Sequence, residues 1–372
     1  MPIEKTAIDI SNLSEDVKKA LGPGKTMAAR GLFPLQQPSD LATVLYQIHL
    51  DSDNNLAEAA QKTAKTLPPH LLESALSDPR LDSRVIDFFA GFFSTQAEIT
   101  KTIVLNPNTS DTTVCDLAQK ADEAQCELIA QNQQRLLRFP QIIGALYMNP
   151  KARMSTVDRC MELAVRNQIS VPGIAAWDEV VAAVLGTQKS TPQEAAEADN
   201  VFRQIALDPT EPTVPSDSEM VSDDEEKREV GGVEDTRQLP VNQLSIPARI
   251  RLALVGNAFA RSQLVRDNNR MVAMSAIRSP KVTDIEVVKY SANRSLNDEV
   301  IRVISNNRDW TRLYAVKHNL VQNPKCPLST AMRFLPLLSE KDQRKVSKSK
   351  SVPSALAVQA KRLLDAKGGH KK

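Results

Sequence analysis

The chain has 372 residues, 41% of them apolar and 25% charged, with only 12 glycines and 4% aromatics. This balance is that of ordinary soluble proteins; it argues against a turn-rich β protein and Gly-rich phosphate loops, and few aromatics leave little for a base-stacking platform. The net charge of +2 hides a division: residues 1–240 hold 22 Lys+Arg against 36 Asp+Glu, whereas residues 241–372 hold 25 against 9, an asymmetry that points to an acidic partner.

Residues 1–37 read as a partly ordered lead-in, with Ser14-Glu15-Asp16 capping a helix through Leu21 that Gly22-Pro23-Gly24 stops. Met1-Pro2-Ile3-Glu4-Lys5 lacks the basic and apolar regions of a signal peptide. From Pro38 the helical period is strong. Leu41, Val44, Leu45 and Ile48 form one stripe, Pro68-Pro69 breaks the next, and Val85, Ile86, Phe88, Phe89, Phe92 and Phe93 make a helix apolar nearly all round, expected at the centre of the first core. Helices are predicted around Val114–Ala118, Leu128–Leu137, Ile142–Met148 and Val157–Ala164, with Pro140 as a break. Pro172 is expected to open a helix through Leu185, and a last one, Glu194 to Leu207, closes a first repeat domain over 38–207.

Residues 208–243 carry Pro209, Pro212 and Pro215 followed by acidic serine runs, and lack apolar periodicity; they read as an acidic disordered linker. A basic helical repeat domain over 244–366 follows. Ser245 and Pro247 open its first helix, Asn268-Asn269 and Thr283-Asp284 cap later ones, and Lys341 to Ser351 is a basic patch with serines. Residues 367–372 are a basic tail. No run approaches the ~18 apolar residues needed to span a membrane. Cys115, Cys126, Cys160 and Cys326 form no C-x-x-C pair and sit in apolar helical contexts, as expected of reduced thiols in a cytoplasmic protein.

One short phrase recurs: Asp78-Pro79-Arg80, Asn106-Pro107-Asn108, Asn149-Pro150-Lys151, Ser279-Pro280-Lys281 and Asn323-Pro324-Lys325. Asn tolerates the left-handed backbone that ends a helix, Pro cannot continue it, and a Ser, Thr or Asp downstream caps the next. Prolines 107 and 150 lie 43 positions apart and prolines 280 and 324 lie 44 apart, the period of HEAT and armadillo repeats. With Val114, Leu117, Ala118 and Leu128-Ile129-Ala130-Gln131-Asn132, the phrase at Asn106 resembles a leucine-rich-repeat-variant unit, as do Ser279–Val288 and Asn323–Leu335. That resemblance to a bacterial repeat family implies an all-α solenoid of HEAT-like repeats in two blocks, and it implies no reaction, catalytic residue or cofactor.

Candidate chemical sites are weak. Gly22-Pro23-Gly24-Lys25-Thr26 lacks the earlier glycine and the preceding strand of a P-loop, because Lys19 stands where the glycine is needed. His49, His70, His318 and His370 show no metal-ligand spacing. The basic half carries the candidate binding surface. Arg249 and Arg251, then Arg261, Arg266, Arg270, Arg278, Lys281, Arg294, Arg302, Arg308, Arg312 and Lys317, recur over successive helices, and similar positions of stacked repeats share a face. Asp309-Trp310-Thr311-Arg312-Leu313-Tyr314 shares residue types with HEAT-like DNA glycosylases but no aligned motif; Trp310 and Tyr314 are expected in the core. The expected function is a non-catalytic adaptor or scaffold that binds a protein partner. Its alternative is a nucleic-acid-binding solenoid using the basic half, with the acidic linker able to dock there.

Overall fold

The computed structural model describes residues 6–9, 13–94, 96–186, 192–206, 244–349 and 351–368. Among these residues every regular element is helical, and the chain divides into two compact units, 1–174 and 175–372. The acidic segment 208–243 and the tail from 369 lie outside the described residues.

The first unit runs through α1 (Glu15–Leu21), α2 (Lys25–Ala29), α3 (Pro38–His49), α4 (Asn54–Thr66), α5 (Pro69–Leu76), α6 (Ser83–Phe93), α7 (Ala97–Leu105), α8 (Asp111–Lys120), α9 (Glu123–Gln131), α10 (Gln133–Arg138), α11 (Gln141–Met148) and α12 (Met154–Arg166). Local chemistry sets the helix starts. The side chains of Ser14, Asp53, Asp82, Ser110 and Asp122 each accept a hydrogen bond from a first-turn N–H, and prolines open α3 and α5, as orphan N–H groups at helix starts require. The lead-in is tied down: the Tyr46 hydroxyl donates to the Thr6 carbonyl at 2.9 Å and the Ile8 N–H to Gln47 Oε1 at 3.0 Å. In α6, Val85, Ile86, Phe89 and Phe93 are buried while Phe88 and Phe92 are less enclosed; Phe88 meets Tyr46, His49 and Phe92 edge-on or stacked.

The second unit comprises α13 (Trp177–Gly186), α14 (Pro192–Ala206), α15 (Ile246–Val255), α16 (Ala258–Leu264), α17 (Arg270–Ile277), α18 (Asp284–Ala292), α19 (Asp298–Asn306), α20 (Tyr314–Gln322), α21 (Leu328–Phe334), α22 (Glu340–Lys348) and α23 (Ser354–Gly368). The division at 174/175 differs from the expected boundary at 207/208. Helices α13 and α14 pack on α15, within the basic block. The Arg251 guanidinium lies 4.6 Å from the Phe202 ring centroid, both side chains buried, and Arg278 reaches Glu179 of α13 at 2.6 Å. Their place in the chain before the acidic segment 208–243 put these helices with the first half; their aromatic and carboxylate contacts place them with the second. The helix expected to open at Pro172 starts instead at Trp177, because Gly173 adopts φ 88° and turns the chain first.

Helices pack in alternation. In the first unit α3 meets α5, α5 meets α7, α7 meets α9 and α8 meets α11; in the second α15 meets α17, α17 meets α19 and α18 meets α20. The recurring phrase closes this pattern by a means different from the one expected. Asn106, Asn149 and Asn323 have φ of −68°, −79° and −84° with extended ψ, so none uses left-handed backbone. Their side chains make the connection. Asn106 Nδ2 donates to the Leu76 and Asp78 carbonyls at the end of α5, at 2.7 and 3.0 Å. Asn149 Nδ2 donates to Ala118 and Ala121 at the end of α8, at 2.8 and 2.9 Å. Asn323 Nδ2 donates to Ser291 and Asn293 at the end of α18, at 3.0 and 3.1 Å. In each, Oδ1 accepts the N–H two residues on, from Asn108, Lys151 and Lys325. Ser279 makes the same connection with one bond, to Leu254 at 3.1 Å at the end of α15. Asp78 keeps the local turn, accepting from Arg80 N–H at 2.9 Å, but a carboxylate has no donor with which to reach back.

The phrase therefore closes helical triplets: α5–α7, α8–α11 (with α10 an extra turn), α15–α17 and α18–α20. The last helix of each lies against the first and satisfies the carbonyls that a helix end leaves without partners. A second bond follows in three of the four, from Asn108 Nδ2 to Pro79 O at 2.7 Å, Lys281 Nζ to Val255 O at 2.7 Å and Lys325 Nζ to Leu296 O at 2.6 Å.

Asn149 is 2% exposed. Replacing it with Ala strands two buried carbonyls and is expected to cost about 2–4 kcal/mol of unfolding free energy, read by urea denaturation. The exposed Gln131→Ala is the reference; equal midpoints for the two variants would refute the clamp.

Candidate macromolecule-binding surface

The ten basic residues singled out from the sequence divide into three groups by their surroundings. Arg261 is 4% exposed. Its Nε and Nη2 meet Glu286 Oε1 and Oε2 at 3.0 and 3.1 Å, and its Nη1 donates to the Gly256 carbonyl at 2.7 Å. It is not available to a partner. Lys281 is drawn against the Val255 carbonyl, and burial, reinforced by the nearby Arg261 charge, pulls its pKa down.

A second group is paired at or near the surface. Arg270 pairs with Glu299, Arg278 with Glu179 and Arg312 with Asp309 at 3.7 Å; Arg294 donates to Ser351 Oγ at 3.3 Å. The third group is Arg266, Arg302 and Arg308, exposed and without an ion pair among the described residues, with Lys317 half-buried on α20. Outside these ten, Arg249 pairs with Asp267 at 2.8 Å and Arg251 is fully buried. The helices thus join several of these cations to acidic neighbours.

Glu286 shows why Arg261 turned inward. It is the third residue of α18, and with Thr283 forms a capping box: Thr283 N–H donates to Glu286 Oε2 at 2.9 Å, and Glu286 N–H donates to Thr283 Oγ1 at 3.4 Å. The Tyr290 hydroxyl donates to Oε1 at 3.2 Å. Burial pushes the Glu286 pKa up, but the Arg261 guanidinium and the Thr283 N–H outweigh it and hold the carboxyl below its ordinary value. The first unit has a parallel connection, in which Ser110 and Thr113 at the start of α8 donate to Asp87 of α6.

Tyr314 is 46% exposed, contrary to its expected place in the core. A single 3-10 turn, Trp310–Arg312, precedes α20 and resets the register, so Tyr314 becomes its first residue. Its hydroxyl donates to Asp342 Oδ2 and accepts from Ser339 N–H at 3.0 Å. Trp310 is half-buried.

An open hollow beside α9 is lined by Asp122, Glu123, Ala124, Glu127 and Arg153. Its charges are engaged between helices: Arg153 with Glu123, and Arg159 and Thr156 with Glu127. Among the described residues no three His, Cys, Asp or Glu gather as a metal site, and no helix is long and apolar enough to cross a membrane. No disulfide joins the four cysteines, of which Cys126, Cys160 and Cys326 are buried.

The basic patch read from the sequence at Lys341–Ser351, not counted there among the candidate binding residues, falls mostly on α22 and forms a helix face. Lys341, Arg344, Lys345 and Lys348 of α22 are all exposed. Their i, i+3, i+4, i+7 spacing is legible in the sequence once the helix is placed. In comparison with known proteins, the chain matches no protein-family model, no curated protein and no solved structure.

Two outcomes follow from the Arg261–Glu286 pair. Arg261→Met leaves a buried carboxylate without its cation and is expected to cost about 3–5 kcal/mol, while Arg261→Met with Glu286→Leu recovers part of that stability. Glu286 is depressed in the fold, so its contribution is complete above the ordinary value of 4.5 and is lost as pH falls through the lower folded value. Denaturation curves between neutral and acid pH should therefore show a smaller acid loss for Glu286→Gln than for the wild type; equal losses would remove this pair as a source of the pH dependence.

Proposed function

We propose that the protein is a non-catalytic scaffold, a helical-repeat solenoid in two blocks, whose surface binds a protein partner. The observation that carries this reading is the clamp repeated in four triplets. A structural unit that recurs with its own main chain satisfied is free to vary its outer side chains, and stacked units of this kind present broad surfaces to other macromolecules. Three-helix units of 43 and 44 residues fit the armadillo-type spacing. Apolar anchors are also present at the carboxy-terminal end of the second unit: Tyr314, Leu328, Leu337 and Val358 are between 43% and 57% exposed. Such side chains supply the buried centre of an interface, with charge assisting association.

The test is affinity capture with the full chain from nuclease-treated extract, followed by reconstitution with the purified candidate. Leu337→Asp is expected to weaken that complex at least about tenfold, since a desolvated charge replaces an apolar anchor. Retained affinity in this variant would move the interface elsewhere, and failure to reconstitute any binary complex would count against the scaffold. A second reading, nucleic-acid binding, is favoured by Arg266, Arg302 and Arg308, which are exposed and carry no ion pair among the described residues.

A further inference from the structure

Helix α22 is held in one rotation about its axis. Ser339 caps it, its hydroxyl accepting from Asp342 N–H at 3.2 Å. Gln343 is fully buried and its Nε2 donates to the Leu335 and Leu338 carbonyls, both at 3.0 Å. Val346, also fully buried, packs on the same side, where α23 lies against the helix. With 343 and 346 pinned inward, Lys341, Arg344, Lys345 and Lys348 form an exposed stripe along the helix. Seven steps of 1.5 Å from Lys341 to Lys348 make this stripe roughly 10 Å long.

The acids of the helix are fewer than its cations. The helix carries four basic residues against Glu340 and Asp342. Glu340 lies 3.8 Å from Arg344, with both side chains half or more exposed, an arrangement worth little. Asp342 is shared: Tyr314 and Ser339 donate hydroxyl hydrogen bonds to it, His318 Nε2 lies at 3.6 Å and Lys345 Nζ also at 3.6 Å. At the far end, Arg294 reaches Ser351, just beyond α22, and adds a cation there.

The chemistry of the face selects the partner. The exposed positions of α22 are Glu340, three lysines and one arginine, with no aromatic or aliphatic side chain among them. Protein interfaces are depleted in Lys at their centres and depend on apolar or aromatic anchors. A phosphate backbone needs neither; it needs cations spaced along its length. We propose that the α22 face is a contact for the phosphodiester backbone of nucleic acid, without base readout. This rests on reading the second unit as a binding surface, but it assigns the cations to α22, with Arg294 beside its end, and not to the other basic residues running from Arg261 to Lys317.

The full chain is titrated with a labelled duplex DNA of roughly 20 base pairs and arbitrary sequence, at low and moderate salt. Binding is expected to weaken with salt. K341Q/R344Q/K345Q/K348Q is expected to weaken it at least about tenfold and to reduce the log–log salt slope by about 3, since each phosphate that the helix no longer neutralises keeps its counterion. All four positions are exposed, so a matching thermal melt confirms that the fold is intact. Arg266→Gln/Arg302→Gln/Arg308→Gln should weaken binding less than the α22 variant does if α22 carries the main contact. Unchanged binding by the α22 variant overturns the proposal, as does weakening confined to the Arg266 triple. No wild-type binding at low salt, or preferential binding of a poly-glutamate peptide, also overturns it. Capture of the reconstituted protein partner by the α22 variant separates this result from the scaffold reading: DNA binding can fail while the protein complex stands, and the reverse.

Discussion

The packing of this protein depends on the side-chain amide at the end of a helix. A helix that ends inside a packed array leaves carbonyls without partners and away from water. Asparagine meets this need twice over. Its Oδ1 folds the following turn, and its Nδ2 reaches across to the carbonyls that close the first helix of the same triplet. The side chain is short enough to stay ordered and carries both donor and acceptor. Asn106, Asn149 and Asn323 use it in full, and Ser279 uses half of it. Register between the first and third helices of a triplet follows from these bonds, because sliding either helix would leave buried polar groups unmatched.

Burial of apolar side chains supplies the mass of the core around that frame. Ile99, Ile103, Val114, Leu117, Ile142 and Ile143 are buried in the first unit, and Ile250, Leu254, Val287, Val300 and Ile304 in the second. This apolar attraction is not directional. The amides and the capping carboxylates provide direction. Close approach is also specified in places: a Cβ on Gly144 of α11 would lie 2.7 Å from the Pro172 carbonyl, so the chain can cross there only over glycine.

Charge is used at two depths. Arg261 and Arg251 are buried, one against a capping carboxylate and the other against an aromatic face, and they link helices within the second unit. On α22 the buried side is served by Gln343, a neutral amide that satisfies main-chain carbonyls without needing a counter-charge. Its cations are therefore left at the surface. A helix anchored by a neutral polar residue and faced with lysines is suited to meeting phosphate, whereas apolar side chains at the same end of the unit suit a protein.

The helical class, the caps at Ser14, Ser245, Asn269 and Thr283, and the punctuation by proline were legible in the sequence, because each depends on residues within one or two turns of one another. So was the recurrence of the Asn-Pro phrase. Its role was not, since the bonds that matter join Asn149 to Ala118 and Asn323 to Ser291 across about thirty positions. For the same reason the sequence determined that the second half is basic, while only tertiary structure decided which cations are spent inside. Arg261 and Arg302 are the same residue type in similarly periodic helices; one faces Glu286 in the core and the other faces solvent. Local propensity and charge count are properties of the chain. Burial and pairing are properties of neighbours that the chain meets only when its helices pack.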